Sequence, residues 1–169
     1  PPGPPWRIGW FGMLRCRRSF ALLADLARQC GGQVEVVLRG RPSPAEFPDF
    51  DRAVAAAPHL SFGGPYRGAA ELAEAYAAVH FAWCIDFFEE GHNSAWLLPN
   101  RLYESAYHNT VPLALGSVET GRRLRNLGAG LVVEDESRIG PELFLEMTEA
   151  DYSGHLARLA AQPPGTWSS

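Results

Sequence analysis

Apolar and polar positions along the chain follow two periods in turn, which predicts strands and helices in regular succession. Short apolar runs that suit buried parallel strands occur at residues 7–12, 34–39, 60–63, 79–85, 111–115 and 130–133. Between them, apolar residues at helical spacing predict helices at 19–30, 50–57, 69–78, 100–108 and 118–127, with two more near 140–147 and 149–161. We therefore expect an open, doubly wound α/β sheet of about six strands with helices on both faces.

Local signals place the ends of two of these helices. Ser19 is expected to cap the first helix, and Gly31-Gly32 ends it. Pro99 and Asn100 begin the helix at 100–108, and Asn109 ends it.

In doubly wound α/β sheets, ligands bind beyond the carboxyl ends of the strands, where the strand order reverses.

Composition and charge narrow the class of protein. The chain has 169 residues, 46% hydrophobic and 20% charged, which is typical of one globular domain. A net charge of −4 argues against a broad nucleic-acid-binding face. Three cysteines without CxxC spacing predict reduced thiols in a cytoplasmic protein. No apolar run reaches membrane-spanning length, so any membrane association is expected to be peripheral, at the inner membrane.

The two ends differ from the rest of the chain in composition. Residues 1–6 begin with Pro-Pro-Gly-Pro-Pro and are expected to be the remnant of a linker, whereas 163–169 are expected to form a loose tail. The domain proper is therefore predicted to span 7–162. A further part of the protein is expected to lie before it.

The stretch from Ser94 to Leu115 carries the most specific signal. A helix that begins at Pro99 and Asn100 directs several backbone N–H groups and its positive dipole end at one point, which suits a phosphate. Glu104 lies one turn later and can accept hydrogen bonds from vicinal hydroxyls such as those of a ribose. A diphosphate beside a sugar ring suggests a nucleotide sugar. The alternative is an ordinary amphipathic helix with an exposed glutamate.

The loop after the first strand is the second candidate for ligand binding. Gly12 allows the backbone to approach a ligand, and Arg15, Arg17 and Arg18 can neutralise a diphosphate, with Arg15 the favoured contact. The loop matches neither the G-x-G-x-x-G motif nor a P-loop. The alternative is a solvated basic loop before a helix.

Two further loops offer weaker candidates. After the fourth strand, the polar loop contains acids and a histidine without the spacing of a metal site, so a solvated loop is favoured, with Asn93 or Ser94 as contacts to a substrate hydroxyl. After the fifth strand, the amides around Glu119 and Thr120 form a candidate anion site, unless Glu119 only complements the helix dipole. His80 is expected in the core, and His108 at a helix end.

The order of several motifs resembles a known family. They are Phe-Gly-Gly-Pro-Tyr, Leu-Ala-Glu-Ala-Tyr-Ala-Ala-Val-His-Phe, Leu-Pro-Asn-Arg-Leu-Tyr-Glu, Val-Pro-Leu-Ala-Leu, and Glu-Thr-Gly followed by Leu-Gly-Ala-Gly-Leu-Val-Val. Together they resemble the C-terminal, donor-binding domain of GT-B glycosyltransferases, in particular the retaining bacterial enzymes of exopolysaccharide and lipopolysaccharide synthesis. The resemblance spans about residues 7–135 and implies a mostly parallel, Rossmann-like sheet, one half of a GT-B fold.

The resemblance also implies roles for individual residues. Arg15, with Arg17 or Arg18, would bind the donor's diphosphate. The start of the central helix would bind the same diphosphate, through Pro99, Asn100, Arg101 and Leu102. Glu104 would bind the ribose. Many members carry a second glutamate eight positions earlier, where this chain has Trp96.

Catalysis would follow from Arg15 and Glu104 without cofactor or metal, because arginines and helix amides stabilise the leaving nucleoside diphosphate. The acceptor, a glycan or a lipid-linked sugar, would bind an N-terminal domain of the same protein, so this domain alone is expected to bind donor without turnover. No nucleic-acid partner is expected.

Two alternatives remain open. A nucleotide-sugar 2-epimerase of the same architecture would share the donor-binding features. A flavodoxin-like receiver or binding module would need acids after the first strand, where this chain has arginines, and an aspartate ending the third strand, where it has Leu60-Ser-Phe-Gly63.

Overall fold

A computed structural model describes residues 2–87 and 100–167 of the chain. Its six strands all run parallel in the order β3-β2-β1-β4-β5-β6, and they are β1 (Trp6–Leu14), β2 (Val34–Pro42), β3 (Leu60–Phe62), β4 (Phe81–Trp83), β5 (Val111–Leu115) and β6 (Leu131–Val133). The helices in this part of the chain are α1 (Arg17–Gln29), α2 (Phe50–Ala56), α3 (Gly68–Ala77), α4 (Asn100–Tyr107), α5 (Glu119–Leu127), α6 (Pro141–Leu145) and α7 (Glu149–Ala160). The predicted doubly wound fold is confirmed, and the sheet is wholly parallel.

The alternation of side chains along the strands divides the core between the two faces of the sheet. In β1, Ile8 and Trp10 face the larger core, where α1, α2, α6 and α7 pack, whereas Phe11 joins the cluster under α3. In β5, Ala114 belongs to a separate small cluster under α4 and α5. The clusters place α3, α4 and α5 on one face of the sheet, and the end of α7 also reaches this side, where Leu159 packs with Ala106 of α4.

The predicted carboxyl ends of α1 and α4 are confirmed, whereas the predicted N-cap of α1 is wrong. Gly31 and Gly32 both have positive φ directly after α1, and Asn109 has φ 58° after α4, as a left-handed helix end requires. The predicted cap of α1 at Ser19 is wrong: the N-cap is Cys16, whose Sγ accepts a hydrogen bond from the Ser19 N–H at 3.4 Å. Ser19 is fully buried one turn into the helix because its hydroxyl bonds across to the end of β4.

His80 lies in the core as predicted. Its Nδ1 accepts a hydrogen bond from the Arg7 N–H at 2.9 Å, and its ring packs edge-on against Trp6 and Tyr152. A short 3₁₀ turn, Glu136–Arg138, was not predicted from the sequence. None of the helices in the described ranges is long and apolar enough to cross a membrane.

Candidate functional site

The strand order reverses between β1 and β4, and the candidate site lies at the carboxyl ends of these two strands. From β1 the chain winds outward to β2 and β3, and it then returns to place β4, β5 and β6 on the other side. Among the described residues, α1 comes after β1 and packs on one face of the sheet, whereas α4 comes after β4 and packs on the other. Where the strand order reverses in this way, a crevice opens at the carboxyl ends of the strands. Residues 15–16, between β1 and α1, and the start of α4 both belong to this edge of the sheet.

The backbones of β1 and β2 approach each other closely at this edge. Gly12 and Gly40 are partners in the parallel register and have φ 106° and 129°. A Cβ on Gly40 would lie 2.8 Å from the Gly12 carbonyl carbon and closer still to its oxygen. Glycine is thus required at Gly40 by both conformation and space. The prediction that Gly12 touches a ligand remains a prediction.

Arg101 brings a guanidinium group to the crevice from the first turn of α4. Its NH1 donates a hydrogen bond to the Trp83 carbonyl at the end of β4, at 3.4 Å. Its Nε lies 3.8 Å from the position that a Cβ would take on Gly12. The side chain therefore bridges the two strands at the point where their order reverses. Sequence reasoning had considered only the backbone of Arg101.

The three arginines after β1 separate in the structure. Arg15 turns towards the end of β4 and pairs with Asp86 at 3.5 Å, with its side chain 40% exposed. Arg17 points away to Glu46, at 3.4 Å. Arg18 hydrogen-bonds Glu136 and lies over the ring of Phe87.

These pairings distinguish the three side chains. Arg15 reaches the end of β4 through its pair with Asp86. Arg17 pairs with an acid that precedes α2, and Arg18 pairs with an acid that follows β6. A contact of any of the three with a ligand remains a prediction. Because they face different acids, the three arginines do not form one cluster.

Glu104 is held from the neighbouring helix. The Tyr76 hydroxyl, at the end of α3, donates a hydrogen bond to Glu104 Oε1 at 3.0 Å. Burial raises the pKa of Tyr76, and the Glu104 carboxylate raises that pKa further, so Tyr76 stays a protonated donor at any physiological pH. Glu104 itself is half-buried.

Tyr66 completes the wall of the crevice on the side of β3. Burial and the nearby Glu104 carboxylate raise the pKa of Tyr66, whereas Arg101 and Arg39 oppose this rise. Arg39 holds the preceding turn, because its Nε donates to the Gly64 carbonyl at 2.8 Å and its NH2 to the Pro65 carbonyl at 3.3 Å. A cavity of about 140 Å³ opens here, lined by Gly12, Met13, Gly40, Arg41, Pro65 and Tyr66.

The loop after β5 brings α5 close to the sheet. Glu119 begins α5 and pairs with Arg122 one turn later, at 3.3 Å, on the exposed side of the helix. Thr120 is buried. A Cβ on Gly121 would lie 2.5 Å from the Leu115 carbonyl carbon, so glycine allows the helix to contact the strand directly. A ligand role for Glu119 or Thr120 remains a prediction.

The remaining candidates are placed in part or not at all. Asn93, Ser94, Pro99 and Trp96 lie outside the described residues. Asn100 begins α4, which agrees with the predicted helix start. The Leu102 side chain is fully buried against Ala114 and Leu124, so only its backbone could face a ligand.

Within 2–87 and 100–167, no group of three or more His, Cys, Asp or Glu side chains could hold a metal ion.

Two tyrosines near the candidate site were not predicted from the sequence. Tyr76 belongs to α3, and Tyr66 belongs to the turn before it. No local pattern in the sequence marks a contact between residues that far apart in the chain.

Comparison with known proteins identifies a relative of this chain by sequence. No protein-family model matches the chain. The chain is 50% identical over 173 residues to the succinoglycan biosynthesis protein ExoL of Rhizobium meliloti (strain 1021), an alignment that covers 99% of this chain and 42% of ExoL. The chain thus spans about two fifths of the length of this relative.

Solved structures share the fold at low sequence identity. Anabaena HepE, solved in complex with UDP and glucose, superimposes with a TM-score of 0.63 over 92% of this chain and 42% of its own, at 16% identity. WaaG, a glycosyltransferase involved in lipopolysaccharide biosynthesis, superimposes with a TM-score of 0.54 over 90% of this chain and 40% of its own, at 13% identity. The chain therefore has the fold of a domain of the GT-B glycosyltransferases and is related over nearly its whole length to part of a succinoglycan biosynthesis protein.

Proposed function

We propose that this chain is the donor-binding domain of a glycosyltransferase that transfers a sugar from a nucleotide diphosphate sugar during polysaccharide biosynthesis. The observation that carries the proposal is the presence of three charged side chains near the carboxyl ends of β1 and β4. Arg15 pairs with Asp86, Arg101 donates to the Trp83 carbonyl, and Glu104 accepts from Tyr76. Guanidinium groups suit a diphosphate, and a carboxylate suits the hydroxyls of a ribose. The relationship to ExoL and the UDP and glucose bound to HepE support the same class of ligand.

In this proposal each group has a distinct task. The guanidinium groups of Arg15 and Arg101 neutralise the diphosphate and stabilise the charge that develops on the nucleoside diphosphate as it leaves. The backbone N–H groups of the first turn of α4 point at the same phosphates. Glu104 accepts hydrogen bonds from the ribose hydroxyls. No metal ion is needed for this electrostatic role.

In this proposal, binding of the acceptor requires the whole protein and not this chain alone. A glycan or lipid-linked acceptor would be held by a second domain of the same protein, opposite the crevice. The isolated chain should then bind the donor without transferring its sugar. A nucleotide-sugar 2-epimerase would bind the same donor, so analysis of the product formed by the full-length protein separates the two activities.

Calorimetry with UDP, GDP and ADP tests the binding site on the chain itself. Glu104→Gln should weaken binding of the preferred nucleotide by about 10- to 150-fold, because a charged hydrogen bond contributes about 1.5–3 kcal/mol. Glu74→Gln is the matched control, since Glu74 is an exposed glutamate on the adjacent α3. It should bind as the wild type does.

Two results would overturn the proposal. One is the absence of binding by any of the three nucleotides at millimolar concentration. The other is equal binding by Glu104→Gln and the wild type. Arg101→Ala adds a check on the diphosphate, because it should weaken binding of UDP but leave any weak binding of uridine unchanged.

A further inference from the structure

We propose that Tyr76 is a positioning residue that sets the selectivity of this site for a ribose over a 2′-deoxyribose, by holding the Glu104 carboxylate in place. The inference rests on the proposed nucleotide site and concerns how its ribose contact is built. Tyr76 does not itself reach the ligand, since its side chain is fully buried. It acts through the hydrogen bond from its hydroxyl to Glu104 Oε1, at 3.0 Å.

The Tyr76 ring is fixed on two sides, which makes its hydroxyl a rigid support. Phe11 of β1 meets it edge to face with ring centroids 5.0 Å apart. His108, one turn after Glu104, stacks on it at 5.2 Å with an interplanar angle of 16°. The Tyr76 carbonyl also accepts a hydrogen bond from the Thr110 hydroxyl at 2.9 Å. Tyr76 therefore joins the end of α3 to Glu104 in α4 and to His108 and Thr110 in the segment that follows α4.

A carboxylate that is already held in place should bind a diol more tightly than a mobile one. A free glutamate side chain loses conformational entropy when it is ordered, and this loss weakens binding. The hydrogen bond from Tyr76 orders Glu104 before the ligand arrives, so less of that cost falls on binding. It uses one of about four acceptor positions of the carboxylate, which leaves Oε2 and the remaining lone pair of Oε1 for two ribose hydroxyls.

The geometry also explains why selectivity, and not only affinity, depends on Tyr76. Removing the 2′-hydroxyl leaves one carboxylate acceptor without its partner, which is costly only when the carboxylate cannot turn away. In Tyr76→Phe, Glu104 is free to rotate towards solvent or to follow the remaining hydroxyl. Discrimination between the two sugars should therefore fall.

The test compares three ligands, UDP, 2′-deoxy-UDP and inorganic pyrophosphate, by calorimetry on the same chain. We expect Tyr76→Phe to bind UDP about 3- to 10-fold more weakly than the wild type, the equivalent of one net hydrogen bond. Its ratio of dissociation constants for 2′-deoxy-UDP and UDP should fall towards that of Glu104→Gln. Pyrophosphate binding, which involves only the phosphate part of the site, should not change.

Controls separate positioning from a loss of structure. Tyr152→Phe removes the hydroxyl of another buried tyrosine, which packs at the amino-terminal ends of β1 and β4 against Trp6 and Phe81. It should keep the wild-type ratio. Adding Tyr76→Phe to Glu104→Gln should change the ratio no further, because both changes act on one contact. Tyr76→Met, which also fills the space without a hydroxyl, replaces Tyr76→Phe if that variant does not unfold cooperatively.

Each outcome has one meaning. If the wild type binds UDP with selectivity and Tyr76→Phe keeps the same ratio, the positioning role is wrong although the nucleotide site stands. If Tyr76→Phe weakens all three ligands equally, Tyr76 is only structural and the inference fails. If the wild type binds GDP or ADP in preference to UDP, that nucleotide and its 2′-deoxy form replace UDP and 2′-deoxy-UDP in the same comparison. If it binds none of UDP, GDP and ADP, the proposed function itself fails.

Discussion

Two glycines within helices should respond in opposite ways to the same substitution. Gly121 is the third residue of α5, and Gly154 lies in the middle of α7. Alanine is more favourable than glycine in a helix interior by about 1 kcal/mol. Helix propensity alone therefore predicts that Gly121→Ala and Gly154→Ala both stabilise the protein. The tertiary contacts of the two positions predict otherwise.

The new methyl group meets very different surroundings at the two positions. At Gly154 the nearest atom is the end of the Arg158 side chain, 3.3 Å away, which can move aside. At Gly121 the Cβ would lie 2.5 Å from the carbonyl carbon of Leu115 and 2.8 Å from Cα of Gly116, both of them backbone atoms. The start of α5 would have to move away from the end of β5. Overpacking of this kind costs about 1–3 kcal/mol.

Urea unfolding followed by circular dichroism measures both effects. We expect Gly154→Ala to raise the free energy of unfolding by about 0.5–1 kcal/mol. At Gly121 the clash is with backbone atoms, so the overpacking cost should be near its upper end, about 2–3 kcal/mol. Less a gain in propensity of about 1 kcal/mol, Gly121→Ala should lower the free energy of unfolding by about 1–2 kcal/mol. An unchanged m-value would show that both variants unfold from a similar compact state. If Gly121→Ala is as stable as the wild type, the close contact of α5 with β5 is wrong.

Two further predictions concern buried groups near the end of β4. The Ser19 hydroxyl donates to the Ile85 carbonyl at 3.1 Å and accepts from Trp83 Nε1 at 2.9 Å. Because Ser19→Ala leaves both of these buried groups unpaired, it should lower the free energy of unfolding by about 2–4 kcal/mol. A double-mutant cycle with Trp83→Phe should recover part of that loss, and strict additivity would contradict the hydrogen bond. Burial raises the pKa of the Cys84 thiol from 9.0 to about 11. As the pH rises above 9 the unfolded chain loses this proton first, so stability should fall between pH 9 and 11, by on the order of 2–3 kcal/mol, and Cys84→Ala should fall less steeply.

The periodicity of the sequence was enough to predict the fold. Short, densely apolar strands separated by amphipathic helices are compatible with a parallel sheet covered on both sides, because a strand buried on both faces needs no polar alternation. Helix ends at Gly31 and Asn109 were predictable for a related reason. A left-handed residue is a local requirement of the backbone, and the residue type that meets it is visible in the sequence.

The candidate site was predictable only in outline. Gly12 lies near the carboxyl end of β1, Arg15 follows that strand, and Asn100 and Glu104 lie within the first five residues of α4. The topology therefore places all four at the expected edge of the sheet. The sequence favoured Arg15 over Arg17 and Arg18 as a contact, but it could not show which acid each of them would pair with. Acids distant in the chain separate them, because each arginine turns to the carboxylate that folding places nearest to it.

What the sequence determined by itself is therefore the set of elements, their parallel arrangement, and the position of the crevice along the chain. Only the tertiary structure decided that Cys16 caps α1 while Ser19 bonds to β4, that the Arg101 side chain bridges β1 and β4, and that Tyr76 holds Glu104. The physical reason is the range of the interactions. Periodicity and backbone conformation act within a few residues, whereas each of these contacts beyond the cap joins residues from separate elements that meet only when the sheet has formed.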